Sequence, residues 1–358
     1  MGKIYKEEDN PYTLQFSYIP PQYISRMSLT DDIINDLKKA VPAFRCHFLT
    51  GVRGCGKTVL MAEISEILSG EKDWITVDIE NPEGNIIELL ARGLYRKPHI
   101  RNMFVEAKLD FSVMGLGVSV EKAKLIASNE LDVLDMMLST LKKHNKKLLV
   151  TIDEVTYCEE IAEFSHALSS YARAKYDIFV LMTGLKSNIK ALKNDKSLTF
   201  LYRAKEHELE PLSLVSIMSS YVKVFDIDRK KAEIMAKKTR GYSFAFQLLG
   251  YLYWNALCEN QFDDINSLGI ELDYESYLAE FVYDKIWSEL SPKEKIIVKT
   301  IASLEEKSSA AIKDKLSMDE SNYSVYRKRL IDKGVLDGSE YGFVEFKLPA
   351  FDNYVLMQ

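Results

Sequence analysis

Apolar and polar positions change rhythm several times along the chain. Between Arg45 and about Leu212, short runs rich in β-formers alternate with segments whose apolar residues recur every three or four positions. The runs Cys46 to Thr50, Trp74 to Ile79, Lys147 to Ile152, Ile178 to Thr183 and Glu206 to Leu209 predict strands, and the amphipathic segments between them predict helices. Strands separated by helices join by crossovers rather than tight turns. The order therefore predicts βαβ units and a mostly parallel sheet sandwiched by helices, an α/β fold. One interruption, Phe111 to Val120, carries two alternating apolar runs about Gly115-Leu116-Gly117 and predicts a hairpin inserted at about 109–121.

Past Pro211 the strands stop. Helical periodicity continues to about Leu290, as in Tyr242 to Cys258 and Tyr274 to Leu290, and predicts an all-α domain over 213–290. The tail, 291–358, changes again. Ser291-Pro292-Lys293-Glu294 reads as a cap followed by a proline at the first helical position, a second helix is expected near Ala310 to Leu316, and a third over Tyr323 to Lys333 ending at Gly334. Strands at Val335-Leu336 and Phe343 to Leu348 flank the turn Asp337-Gly338-Ser339-Glu340, and three helices followed by a hairpin spell a winged helix-turn-helix. At the other end, residues 1–44 are rich in Pro and Tyr up to Pro21 and turn helical at Ser28-Leu29-Thr30-Asp31-Asp32, which reads as a leader packed on the 45–212 core.

Composition narrows this picture only a little. With 47% apolar and 28% charged residues in 358, the chain falls in the ordinary globular range, and a net charge of −6 gives no global reason for a nucleic-acid coat or a membrane surface. Cys46, Cys55, Cys158 and Cys258 stand apart without a CxxC pair, so neither a zinc site nor a disulfide framework is indicated and a cytoplasmic location is expected. The first residues carry no apolar signal segment, and no run approaches the ~20 apolar residues of a membrane helix.

Chemistry enters at Gly51-Val52-Arg53-Gly54-Cys55-Gly56-Lys57-Thr58, which satisfies GxxxxGK[ST], follows the apolar run His47-Phe48-Leu49 and precedes the helical Val59 to Ile64. Glycines let such a loop curl so that its N–H groups point at phosphate oxygens, and the following helix adds its positive end. Lys57 is placed to reach the β- and γ-phosphates and the Thr58 hydroxyl to ligate Mg²⁺, with Val59 in the first helical turn beside them. Downstream, the apolar run Leu148 to Ile152 ends in Asp153-Glu154, as in a Walker B strand: Asp153 orders magnesium through water and Glu154 polarises the attacking water. No Asn-Lys-x-Asp segment for guanine is present, so ATP is the expected nucleotide.

With these motifs in place, the chain resembles the AAA+ ATPases of the origin-recognition and STAND-related group, specifically prokaryotic proteins with an ATPase core, a helical lid and a C-terminal winged helix. The resemblance implies ATP hydrolysis and assigns roles by position. It implies that Thr183 at the end of Phe179 to Thr183 is the sensor that contacts the γ-phosphate region, and that Arg203, ahead of Glu206 to Leu212, is an arginine finger acting across a subunit interface in a self-oligomer. A surface arginine without that role is the competing reading. The lid of this group often begins Gly-x-Pro, whereas this chain reads Arg240-Gly241-Tyr242-Ser243, so an adenine contact from proline is missing; Arg240 is the candidate for a sensor-2-like cation, with a helix-flanking basic residue as the competing reading. Tyr23-Ile24-Ser25-Arg26 resembles the segment that closes over the base, which would bring Ile24 and Arg26 to it.

Residues 291–358 hold nine lysines and two arginines against eleven acids, so the last module is not basic as a whole. Its third helix is locally cationic through Arg327, Lys328, Arg329 and Lys333, near Tyr323 and Tyr326, and duplex DNA is a candidate partner there. The alternative is a signalling switch of the STAND type, with slow ATP turnover and a winged helix that contacts protein.

Overall fold

The computed structural model describes residues 5–15, 19–79, 84–109, 129–259 and 268–358. Two compact units make it up: Arg26–Thr50 with Lys57–Glu208, and the residues up to Ser25 with Gly51–Gly56 and Leu209–Gln358.

The first unit is built on a five-stranded sheet: β1 (Cys46–Thr50), β2 (Trp74–Ile79), β3 (Lys147–Ile152), β4 (Ile178–Gly184) and β5 (Lys205–Glu208). Every neighbouring pair is parallel and the order is β2-β3-β4-β1-β5. The parallel α/β arrangement expected from the alternation is thus present. β1 and β4 are buried along their whole length, β4 as its nearly continuous apolar run requires of a strand covered on both faces, and β1 with His47 and Thr50 buried among its apolar residues. β5, Lys-Glu-His-Glu, lies at the edge with its side chains partly in water, where charges discourage further pairing. It starts at Lys205 and ends at Glu208, one residue earlier at each end than the sequence implies, because Glu208 is the last residue to pair with β1 and Leu209 leaves the sheet.

Helices cover the sheet. Asn85 and Asn129 each cap one by accepting the N–H three residues on, which sets the starts of Ile86–Arg96 and Glu130–Lys143. Their apolar stripes, among them Leu90, Leu94, Leu134 and Met137, pack in one core with Val77, Val150 and Val180 of the strands. The hairpin expected at about 109–121 lies, apart from Leu109, outside the described residues.

The second unit is mostly helical. Leu214–Phe225, Arg229–Thr239, Ser243–Cys258 and Leu268–Leu278 come first, the last running through a π-type stretch, Ala279–Tyr283, into Asp284–Ser288. Residues read as one leader divide between the units. Met27–Lys38 is a helix of the first, while the segment before it crosses the helices of the second, with Tyr12 buried and stacked on Phe225 at 5.6 Å and beside Phe246. Asn10 Nδ2 donates to Asn255 Oδ1 at 2.9 Å, and Trp254 Nε1 donates to Lys6 O at 2.8 Å.

Three further helices follow, Pro292–Ser303, Ser309–Leu316 and Glu320–Asp332, then the antiparallel pair β6 (Leu336–Asp337) and β7 (Glu345–Phe346). Ser291 and Glu294 form a capping box. The third helix begins at Glu320, three residues before the apolar period shows it, because Asp319 caps it by accepting Asn322 N–H. A last helix, Phe351–Met357, is absent from the sequence reading; Phe351, Tyr354 and Val355 form its short buried stripe. No described helix is long and apolar enough to cross a membrane.

Candidate functional site

In the sheet unit the chemistry gathers at the carboxyl ends of the strands. β4 stands between β1 and β3 and pairs Leu49 with Thr183 and Ile152 with Met182, so Thr183 closes the gap beside Asp153. The Thr58 hydroxyl, on the first turn of Lys57–Ser69, donates to Asp153 Oδ2 at 2.8 Å. The Thr183 hydroxyl donates to the other carboxylate oxygen, Oδ1. It also accepts the N–H of Glu154 at 3.0 Å, and Val155 N–H donates to Thr183 O at 2.8 Å.

This clamp explains an unusual backbone. Glu154 has φ +49°, a left-handed conformation that costs a non-glycine residue about 1–2 kcal/mol. Two acceptors for its N–H, Thr183 Oγ1 and Asp153 Oδ1 at 3.1 Å, hold it there. The turn leaves the Glu154 side chain exposed while Asp153 stays half-buried and Thr183 fully buried. Strain of this kind collects where a side chain must be aimed. Lys57 opens the helix and is buried, with Val59 partly buried in its first turn. Arg203, at the C-terminal end of Thr199–Tyr202, is exposed and has no ion-pair partner among the described residues; the neighbouring Tyr202 is exposed as well.

The helical unit contains the rest of the loop, Gly51 to Gly56. There the backbone lies against the turn that opens Ser243–Cys258. Tyr242 Oη donates to Arg53 O at 2.6 Å, Phe244 N–H to Gly54 O at 3.0 Å, and Ser243 Oγ to Cys55 O at 2.8 Å. Burial pushes the Tyr242 phenol well above its ordinary pKa, which keeps it a donor. Gly54 sits at φ +73°, and a Cβ there would lie 2.2 Å from Tyr242 Oη. Val52 is buried against Gly334 so closely that a Cβ at Gly334 would come within 1.8 Å of Val52 Cγ1. Arg53 Nη2 is 3.9 Å from Glu289 Oε1.

Cations at the end of the chain fare differently from one another. Arg327 is turned inward: its Nη2 donates to Gly338 O and Phe343 O, each at 3.2 Å, and holds the segment between β6 and β7. That use removes it from any outward face. Lys333 is also spent, donating to Glu294 Oε2 at 2.9 Å and Glu289 O at 3.0 Å, and Arg240 donates to Phe346 O at 2.8 Å. Lys328 and Arg329 remain exposed, and Arg329 and Lys293 both lie over the Tyr326 ring, at 5.4 and 5.2 Å. Ile24 and Arg26 are partly buried, in the segment ahead of Met27–Lys38.

Sequence reasoning missed Tyr242 and Ser243 as loop contacts. The signal was local: two hydroxyl residues follow Gly241 where the related pattern carries proline.

Magnesium is the metal that the motif implies. The donors present, a threonine hydroxyl and a carboxylate oxygen 2.8 Å apart, are the hard oxygens it takes, and it ordinarily needs only one or two from protein beside phosphates and water. Among the described residues no three His, Cys, Asp or Glu side chains cluster for a cage of a different kind.

Comparison with known proteins bears on the fold. The family described as domain of unknown function DUF8462 matches residues 280–355. No curated protein matches the sequence. Among solved structures, the ORC2 protein of Aeropyrum pernix, determined as ADPNP-ADP complexes, is similar over 96% of this chain and 95% of its own at 14% identity, with TM-score 0.60. Its ADP form is similar over 95% of both chains at 16% identity and TM-score 0.52. Cdc6p of Pyrobaculum aerophilum is similar over 95% of this chain and 94% of its own at 13% identity and TM-score 0.51.

Proposed function

We propose, from the premise that this chain has the fold of the archaeal origin-recognition AAA+ ATPases, that it binds ATP with magnesium through Gly51–Thr58 and hydrolyses it. The observation that carries the reading is the set of bonds at the strand ends: Thr58 to Asp153, Asp153 to Thr183, and Thr183 to the backbone of Glu154. A carboxylate shared by a phosphate-loop hydroxyl and a clamped, exposed glutamate suits metal-assisted attack by water better than transfer to an organic acceptor.

In this reading the N–H groups from Gly51 to Val59 and the Lys57 ammonium bind the phosphates. Thr58 and Asp153 would hold magnesium, which would supply positive charge against the phosphates. Glu154 accepts a hydrogen bond from the water that attacks the γ-phosphorus and takes its proton as ADP leaves. Thr183 serves as a positioning group for that glutamate, in place of or beside a contact with the γ-phosphate. Arg203, exposed next to Tyr202, is the residue for a neighbouring copy to receive. Phosphate release measured in magnesium and again in EDTA tests the reading: metal-dependent release that stops at ADP supports it, and transfer of the phosphoryl group to a small acceptor contradicts it. Turnover that rises with protein concentration in the native chain, and stays flat in Arg203→Ala, is expected if copies share the arginine.

A DNA partner belongs to the same proposal in a narrower form than the sequence implied. Three helices and a short antiparallel pair support the winged-helix reading, with a cationic contribution from Lys293, Lys328 and Arg329 about Tyr326 and none from Arg327. Phosphate contacts of this kind release counterions, so affinity falls with salt by about 0.9 in log K per log unit for each contact. The double variant Lys328→Ala/Arg329→Ala is expected to flatten that slope by about 2 for a duplex of any sequence. A slope equal to that of the native protein removes this face from DNA binding and favours the signalling alternative, in which the same helix meets protein.

A further inference from the structure

The peptide carbonyls of Arg53, Gly54 and Cys55 each accept one hydrogen bond from the turn Tyr242-Ser243-Phe244, and two of the three donors are side-chain hydroxyls. We propose that Tyr242 and Ser243 are positioning residues of the nucleotide site, whose hydroxyls hold the phosphate loop in its anion-receiving conformation before any nucleotide arrives. The inference rests on the reading of Gly51–Thr58 as a phosphate loop and adds to it two residues of the turn after Gly241.

In a trans peptide the C=O of one residue and the N–H of the next point in opposite directions, and no peptide among the described residues is cis. A donor that fixes the Arg53 carbonyl on one side therefore turns the Gly54 N–H to the other, and the bond to Cys55 O does the same for Gly56 N–H. Glycine-rich segments resist this kind of order, since Gly54 and Gly56 have more backbone freedom to lose than any other residue type. An unclamped loop would lose that freedom at the moment of binding, and affinity would fall accordingly. Here the order is supplied by the folded protein. Tyr242 is suited to the task because its ring is buried beside Gly54, where only a residue without Cβ leaves room. Ser243 replaces the proline common in this lid turn, and only the serine carries a hydroxyl that reaches Cys55 O.

A purely structural role would lower stability and leave ligand affinity alone, so the test separates the two. Tyr242→Phe and Ser243→Ala each remove one hydroxyl with little change in volume, and Ser243→Thr keeps it. Fluorescent ADP is titrated into each full-length variant in magnesium, with melting temperature measured without nucleotide. A net hydrogen bond is worth roughly 3- to 10-fold in an equilibrium constant. The expected result is weaker ADP and ATP binding by about that factor in each single variant and by about 10- to 100-fold in the double. Ser243→Thr should bind as the native protein does. The loss should be equal for ADP and ATP because the loop, not the γ-phosphate, is affected. Native affinity in the double variant overturns the proposal.

Should the native protein itself bind no nucleotide, the phosphate-loop reading fails, and the clamp is still decided by amide exchange in nucleotide-free protein. Exchange over residues 51–58 at least about tenfold faster in the double variant shows a loop released by loss of the hydroxyls, and equal exchange shows that they do not hold it.

Discussion

Glu154→Gln should lower ATP turnover by about 10² to 10⁴ while leaving ATP affinity and melting temperature nearly unchanged. The substitution preserves shape and removes the proton acceptor. Because the Glu154 side chain is exposed, stability should move by no more than about 0.5 kcal/mol. The backbone bonds that shape the turn come from Glu154 N–H to Thr183 and Asp153 and survive the change. The companion variant Thr183→Val acts on the same step from beneath. It deletes a buried hydroxyl that both donates to Asp153 and accepts from Glu154 N–H, so the glutamate keeps its charge and loses its aim. Misplacement by about 1 Å costs on the order of 10² in rate, and Thr183→Ser, which restores the hydroxyl, should recover most of it. Single-turnover phosphate release on all three variants checks the pair. Native turnover in Glu154→Gln would remove that residue from the chemistry.

Gly54→Ala is the second large effect, and it strikes binding rather than turnover. Alanine at φ +73° costs about 1–2 kcal/mol, and its Cβ would lie 2.2 Å from Tyr242 Oη, 2.9 Å from Cζ of that ring and 3.2 Å from Phe244 Cβ. The ring is buried and cannot swing clear, so the loop and the turn that holds it must part. Overpacking of this sort adds about 1–3 kcal/mol, which brings the destabilisation to roughly 2–5 kcal/mol. Nucleotide affinity should fall by at least about 100-fold, since the three carbonyl bonds are lost together. Urea unfolding and ADP titration measure the two parts; retention of native affinity would show that the loop does not depend on this packing.

Legibility from sequence followed the range of the interactions. The strand-to-helix turn over Gly51–Thr58 and the strand that ends before Asp153-Glu154 could be read because glycine freedom, strand periodicity and residue chemistry act over a few positions. The parallel sheet was legible for the same reason, to within one residue at the ends of β4 and β5. Strand order was not. That β4 lies between β1 and β3, which brings Thr183 to Asp153 and Glu154, is settled by pairing across 30 residues of chain and more. The contact of Tyr242 with Arg53 spans 189 residues and leaves no periodic trace. Arg327 shows the opposite failure. Its neighbours Lys328 and Arg329 made it look like part of an outward cationic face, yet Gly338 leaves a space beside β6 that the Arg327 guanidinium fills. The terminal helix Phe351–Met357 is too short for its apolar spacing to stand out from the strand before it.

An equilibrium titration of the native chain with fluorescent ADP in magnesium tests phosphate binding at Gly51–Thr58. Saturable binding at one site per chain is expected, displaced by ATP and not by GTP, and abolished in Lys57→Ala. Failure of the native chain to saturate, or equal binding by Lys57→Ala, would contradict it.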